Sequence, residues 1–466
     1  MTPFKTIPGY PPFKNPVSAI LMMNGYMRHF LERLEQDFTR FGDLFSFEIS
    51  GQQMLMLRDP DMIHEITTRQ ASKFVKDITY TDPKRGLAYF LGSGLLISDG
   101  EFWRRQRKLM SPAFHHKRLI SYGDIIVHEG ARVIDQWRGV SEADVDADMM
   151  HATLDIVAKA LFSSDMNDTD VQRIGTAMTS AQEFSADQVQ QILPDWIPLP
   201  SRLAQRRHIA ALDEIVYRLI AEHRAMGDDN GDLLWMLLNA RDEDGNGMTD
   251  RQLRDELVTL FLAGHETTAN TLNWVWVSLA QNPHVEARLH EELDRVLGGR
   301  LPTLEDLKSL TYTEQVIKEA MRLYPPAFVF SRTPVEDMEL GGYWIKKGAQ
   351  VTVMSWSVQR DARWYPDPLA FKPERWTPEF EANLPKGAYI PFGGGPRICI
   401  GMNFALMEAN LLLAALASRY QLRLIGDAPA PLPQLTLRPK GGLHMRIMPR
   451  AITPAAEPIT ERVLAV

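Results

Sequence analysis

Phe392-Gly393-Gly394-Gly395-Pro396-Arg397-Ile398-Cys399-Ile400-Gly401 places the chain's single cysteine in a glycine-rich loop, just ahead of an apolar helical run from Met402 to Arg419. Loop amides and the positive end of a helix both favour a thiolate at such a point. The glycines permit positive φ and close backbone approach, so a flat ligand can lie against the loop with the sulfur aimed at it. A phosphate cradle is the rival reading, but the Gly-Lys-Ser/Thr that completes a P-loop is missing. One thiol also rules out an internal disulfide and multi-thiolate zinc or iron–sulfur sites. Taken alone, a solitary cysteine reads as a small buried hydrophobe, so its surroundings have to decide.

Working outward, the 466 residues are 45% apolar and 24% charged, which excludes disorder, collagen-like repeats and disulfide scaffolds. Acids outnumber Lys and Arg by 59 to 51, a net charge of −8 that argues against general nucleic-acid binding. The longest apolar run, Leu411 to Ala417, falls far short of the roughly 18–20 residues of a membrane span, so no transmembrane anchor is expected. Met1 to Met23 lacks the basic n-region and cleavage site of a signal peptide, and a cytoplasmic location is expected.

No linker, repeat or low-complexity tract divides the chain, which predicts one domain over 1–466, with residues 1–20 as an extended, proline-rich leader and about 452–466 as a flexible tail. The fold class is mainly α. Apolar periodicity predicts helices over 25–41, 102–110, 120–137, 149–162, 209–223, 250–281, 285–296, 312–323 and 402–419. Alternation predicts a hairpin of 44–49 with 53–57 and further strands near 343–345 and 350–354. The segment from Asp250 to Gln281 is apolar over most of its central circumference; at 1.5 Å per residue it is roughly 48 Å long, enough to cross a domain. Ten prolines between Pro325 and Pro396 forbid a long helix there.

The long helix contains Ala263-Gly264-His265-Glu266-Thr267-Thr268, where a glycine, two β-branched residues and a carboxylate break an apolar segment. Such lapses in local consistency mark function more often than chance, although a kink with hydroxyls bonded back one turn would give the same pattern. Glu319 and Arg322 stand at i and i+3, a spacing that ordinarily means a surface pair of about a few tenths of a kcal/mol. From Arg104 to Arg118 there are six cations and no acid.

The cysteine loop resembles the cytochrome P450 signature F-x-x-G-x-R-x-C-x-G, matched at Phe392, Gly395, Arg397, Cys399 and Gly401. Residues 263–268 resemble the family's distal-helix motif, Glu319-x-x-Arg322 its E-x-x-R, Pro373-Glu374-Arg375-Trp376 its P-E-R-F with Trp for Phe, and Trp103-x-x-x-Arg107 its W-x-x-x-R. These motifs run in the family's order from about Leu95 to Met407. The string from Trp103 to His115 is most similar to the microsomal-like branch and its soluble bacterial members.

The resemblance implies a triangular helical domain with a smaller β-rich lobe, and haem b between the long helix and the Cys399 loop. Cys399 would be the metal ligand, donating electron density that favours O–O cleavage. Arg397, Trp103, Arg107 and Arg332 would hold the propionates. Phe392, Gly401 and Ala263 would complete the cofactor site, and Gly264 would leave room for dioxygen. Glu266 and Thr267 would be the catalytic acid–alcohol pair that relays protons. His265 is expected to be structural or solvent-facing, and Glu319, Arg322 and Arg375 a buried triad that holds the proline-rich segment.

The implied reaction inserts one atom of O2 into a C–H bond of an apolar small molecule. A fatty acid is the expected substrate, with a terpenoid or steroid as the alternative. The pocket is expected around Leu95, Leu96, Leu262, Ala263, Ala327–Phe330 and Pro433–Leu437. With about 45 residues beyond Gln421, no bound flavin is expected. Electrons would come from a separate ferredoxin or flavoprotein donor docked on the basic face of 104–118. A peroxygenase or isomerase, or a non-enzymatic haem sensor, are the other function classes. The Glu266–Thr267 pair argues against the first, and the lack of a signalling domain against the second.

Overall fold

The computed structural model describes residues 4–11, 25–26, 28–49, 52–84, 86–162, 166–186, 199–226 and 231–451. Its main helices are α1 (Phe30–Phe41), α2 (Gly100–Met110), α3 (His116–Trp137), α4 (Val145–Phe162), α5 (Asp168–Ala186), α6 (Pro200–Met226), α7 (Asp250–Gln281), α8 (Pro283–Leu297), α9 (Thr311–Leu323) and α10 (Met402–Ala417). The strands are β1 (Leu44–Ile49), β2 (Gln52–Leu57), β3 (Phe74–Lys76), β4 (Glu142–Asp144), β5 (Phe330–Pro334), β6 (Met338–Leu340), β7 (Tyr343–Ile345), β8 (Gln350–Val353), β9 (Tyr420–Leu424), β10 (Pro431–Pro433), β11 (Leu437–Pro439) and β12 (His444–Pro449).

Local chemistry sets the ends of α7. The Thr249 hydroxyl accepts from the Gln252 N–H, and the Gln252 side chain accepts from the Thr249 N–H, a reciprocal cap. At the other end Asn282 stops the helix and Pro283 opens α8, where a missing N–H costs nothing. Leu257, Phe261, Leu272, Trp274 and Trp276 are buried around α7, so it crosses the core instead of lying on it. Helix α10 is equally enclosed, with Leu411 to Ala417 inaccessible to solvent.

The β-rich lobe is a five-stranded sheet of order β1-β2-β8-β5-β3, with β1 and β2 paired from Leu44 opposite Leu57. The described part of the leader bridges two sheets: the Lys5 N–H donates to Gly342 O of the separate β6–β7 hairpin at 2.9 Å, and the Tyr10 N–H to Ser46 O of β1 at 3.0 Å. The tail from 452 lies outside the described residues, as does most of the Met1–Met23 patch. Helix α5 was not anticipated, because Gly175 and a run of Thr and Ser give 168–186 weak helix propensity; packing against α6 and α4 supplies the stability instead. Helix α6 starts at Pro200, nine residues ahead of the expected Ile209.

Glu319 ties the proline-rich segment to α9. Its carboxylate accepts from Arg322 Nε and Nη2 at 2.9 and 2.8 Å, from Arg375 Nε at 2.9 Å and from the Lys372 N–H at 2.9 Å. Arg322 also donates to the carbonyls of Gln359 and Pro368. Glu319 and Arg322 are wholly buried, so the i,i+3 spacing here marks an interior ion pair and not a surface one.

Candidate active site

A cavity of about 340 Å³ separates α7 from the glycine-rich loop. Ala263, Glu266 and Thr267 line it from α7, Phe392, Arg397 and Cys399 from the loop, Trp103 and Arg107 from α2, and Arg332 from β5. Gly401 does not line the cavity; it caps the N-terminus of α10, and its N–H is bonded to the Cys399 sulfur.

The Cys399 side chain is accessible, but to this interior cavity and not to bulk solvent. Burial therefore raises its thiol pKa, against the opposing pull of the Gly401 N–H and the Arg107 guanidinium. The Gly401 N–H favours the thiolate as the loop's sequence led one to expect, while desolvation opposes it. Gly393, at φ +72°, lines the cavity as expected, whereas Gly395 has another task. Gly395 sits at φ +61°, and a Cβ there would come 1.9 Å from Thr67 O, so backbone contact with 65–69 demands it rather than a flat ligand.

Cations gather on one side of the cavity. Strands β3 and β5 are registered so that Lys76 lies directly opposite Arg332. Like charges so placed repel, and burial lowers the pKa of both. Arg397 stacks on Trp103 at 3.8 Å from its ring centre, donates to Ser98 O at 2.8 Å and pairs with Asp99. Burial brings its guanidinium down to about 10. Arg107 is the fourth cation. Among the described lining residues the one carboxylate is Glu266, which approaches from α7. Such a set favours an anionic ligand. Lys76 escaped the sequence reading because its position depends on strands more than 250 residues apart in the chain.

On α7 the Thr267 hydroxyl donates to Ala263 O at 2.7 Å. Glu266 Oε1 accepts from Thr436 Oγ1 at 2.6 Å, while Glu266 Oε2 is buried without a partner. Burial pushes this carboxyl up to about 7. Asn270 Nδ2 in turn donates to Thr436 Oγ1 at 3.0 Å. The sequence reading took the 433–437 loop as an apolar wall and missed this hydroxyl.

One expectation on α7 is corrected and another narrowed. Gly264 does not open space towards the cavity: a Cβ there would meet Val157 Cγ2 at 2.8 Å, so the glycine lets α4 press against α7. Of the two readings of His265, structural or solvent-facing, the structural one holds. The ring is buried, its Nδ1 lies 2.7 Å from Phe261 O, and burial lowers its pKa to about 4. The basic run is also partly neutralised, since Arg104 pairs with Glu101, Arg105 with Asp242 at 2.6 Å and Lys108 with Glu243. Those last two acids come from a distant loop that short-range reading could not place. The Lys117 side chain lies outside the described residues.

The rest of the cavity wall is apolar, with Leu95, Leu96, Leu262, Ala327, Val329, Phe330 and Leu435 among its members.

The Cytochrome P450 family profile matches residues 8–446. The chain belongs to the cytochrome P450 family. It is 37% identical to cyclooctatin synthase of Streptomyces melanosporofaciens, over 88% of this chain and 89% of that protein. It is 32% identical to pentalenene oxygenase of Streptomyces avermitilis (91% and 93% covered), and 34% identical to the cyclooctat-9-en-7-ol 5-monooxygenase of Streptomyces melanosporofaciens (85% and 84%). As a P450 the protein is a monooxygenase, and the family implies a haem cofactor. The residues fit that group: a soft sulfur faces the cavity, and buried cations that repel one another stand where anionic substituents would relieve them. No helix among the described residues is long and apolar enough to cross a membrane.

Proposed function

We propose that Cys399 ligates the iron of haem b as a thiolate and that the protein hydroxylates a cyclic terpene hydrocarbon or a lightly oxidised derivative. One observation supports the ligand reading above others: Cys399 and the Glu266–Thr267 pair line the same cavity from opposite walls. Arg332, Arg397, Arg107 and Lys76 would neutralise the propionates, with Trp103 holding Arg397 flat against its ring. Ala263, with its small side chain, keeps the α7 wall low.

When bound, the haem supplies dioxygen activation, with electron donation from sulfur favouring O–O cleavage. The chain's own part is to hold substrate and move protons. Glu266 holds a proton near neutral pH because burial has raised its pKa, and Thr436 fixes the orientation of its carboxyl. Thr267 offers a hydroxyl one residue on, bonded to the Ala263 carbonyl at the cavity wall. Apolar walls exclude bulk water and seat the hydrocarbon.

The substrate class is supported from two sides. The three relatives carry names of terpenoid oxygenation. In addition, the cavity wall away from its four cations is apolar, as the seating of a hydrocarbon requires. Electrons come from a separate ferredoxin or flavoprotein donor. Titrating the holoenzyme with cyclic sesquiterpenes and diterpenes should give a low- to high-spin shift, and turnover should yield alcohols labelled by isotopic O2. A shift with medium- to long-chain fatty acids and none with any terpene would overturn the substrate reading.

A further inference from the structure

A second and larger space, about 1120 Å³, lies on the other side of α7, between α4, α5 and α6. Its walls mix apolar side chains such as Leu154 and Phe184 with polar ones. Ser180 donates to Gln205 Oε1 at 2.6 Å, while the buried Gln205 Nε2 has no protein partner, as expected of a group that bonds to water. Where this cleft reaches α7 it meets His265 and Arg438.

Both residues border the active-site machinery. His265 precedes Glu266 on α7, and Arg438 follows Thr436 by two positions. The chain thus presents Glu266 and Thr436 to the inner cavity and His265 and Arg438 to the outer cleft. Arg438 is fastened across the partition. Its Nη1 donates to Gln182 Oε1 of α5 at 2.7 Å, and its Nη2 lies 3.8 Å from Asp146 Oδ2 of α4. Asp146 also accepts from Asn273 Nδ2 of α7 at 2.6 Å. Among the described residues Glu266 Oε2 is buried without a partner, and Arg438 and Asp146 are close enough to act on its carboxyl electrostatically.

We propose that the outer cleft is the water and proton entrance to Glu266, and that Arg438, latched to Gln182, is the positioning residue that closes it. Inserting one atom of O2 into a C–H bond while reducing the other to water consumes a pair of protons and a pair of electrons. The electrons arrive from the donor protein; the protons need a route from bulk water that bypasses the apolar substrate wall. Arg438, held by Gln182, has the part of admitting or excluding water. Asp146 and Arg438 are the charged groups that act on Glu266 from outside, with opposite sign. The inference rests on Glu266 being the proton donor.

The test reads the carboxylic-acid C=O band of Glu266 in infrared difference spectra of the holoenzyme, about one pH unit below its pKa of about 7. Loss of the band in Glu266→Gln assigns it, and its rate of shift after transfer to D2O measures water access. Filling the cleft from exposed positions on facing helices, with Thr179→Trp and Ala204→Trp, should slow the exchange. Arg438→Met should speed it and divert reducing equivalents to peroxide, with Arg438→Lys restoring both. Unchanged exchange in the filled and the Arg438→Met proteins would overturn the entrance. If instead Glu266→Gln keeps full coupling of electron use to product, the reading of Glu266 as donor fails, whatever the exchange rates.

Discussion

The indole Nε1 of Trp376 donates to Glu319 Oε2 at 3.0 Å, inside a carboxylate that already accepts from Arg322 and Arg375. The P-E-R-F motif carries Phe at this position, and a phenyl ring has no donor. Here the substitution adds a bond between the proline-rich segment and α9.

Trp376→Phe should therefore cost about 1.5–3 kcal/mol, the range for a hydrogen bond to a charged group. Denaturant unfolding of the holoenzyme followed by tryptophan-independent circular dichroism would measure it. An unchanged midpoint would mean that the bond contributes nothing.

Gly264 is held by helix contact, which makes a paired prediction. Gly264→Ala places its Cβ 2.8 Å from Val157 Cγ2, and overpacking of this kind costs about 1–3 kcal/mol. That exceeds the gain in helix propensity of roughly 1 kcal/mol. Combining it with Val157→Ala should recover stability relative to Val157→Ala alone. If the glycine instead served dioxygen access, the second substitution would leave the defect in place.

The pH profile follows from Glu266. Its folded-state pKa of about 7 lies above the ordinary carboxylate value, so the proton-donating form prevails below about 7 and is lost as pH rises through it. The coupled fraction, product formed per NAD(P)H consumed, should fall along that limb. Glu266→Gln should be poorly coupled throughout and lose the limb. A limb that persists in Glu266→Gln would assign it to another group.

Thr267→Ala separates the oxygenase from a peroxide-using enzyme. An oxygenase should go on consuming NAD(P)H while most product is lost to peroxide. An enzyme that rearranges or uses supplied peroxide should be little affected. Product yield with donor and O2, set beside yield with added peroxide, tells them apart.

Much of the architecture was legible because its signals are local. The apolar circumference of 250–281 matches α7, and prolines kept residues 325–401 free of long helices. Contacts between distant segments were not legible. The pairing of Lys76 with Arg332 needs the β3–β5 register, the neutralising of Arg105 needs Asp242, and the bond from Thr436 to Glu266 spans 170 positions. Gly264 was misread for the same reason: no short motif reveals that Val157 lies against it. Helix α5 was missed because its residues favour a helix only weakly and tertiary packing decides.

The central claim, thiolate ligation by Cys399, is tested most directly by the absorption difference spectrum of the dithionite-reduced protein with and without carbon monoxide. The account predicts a strongly red-shifted Soret band, absent in Cys399→Ala. A haem-replete native protein that showed only the unshifted band of His-ligated or thiol-ligated haem would contradict it.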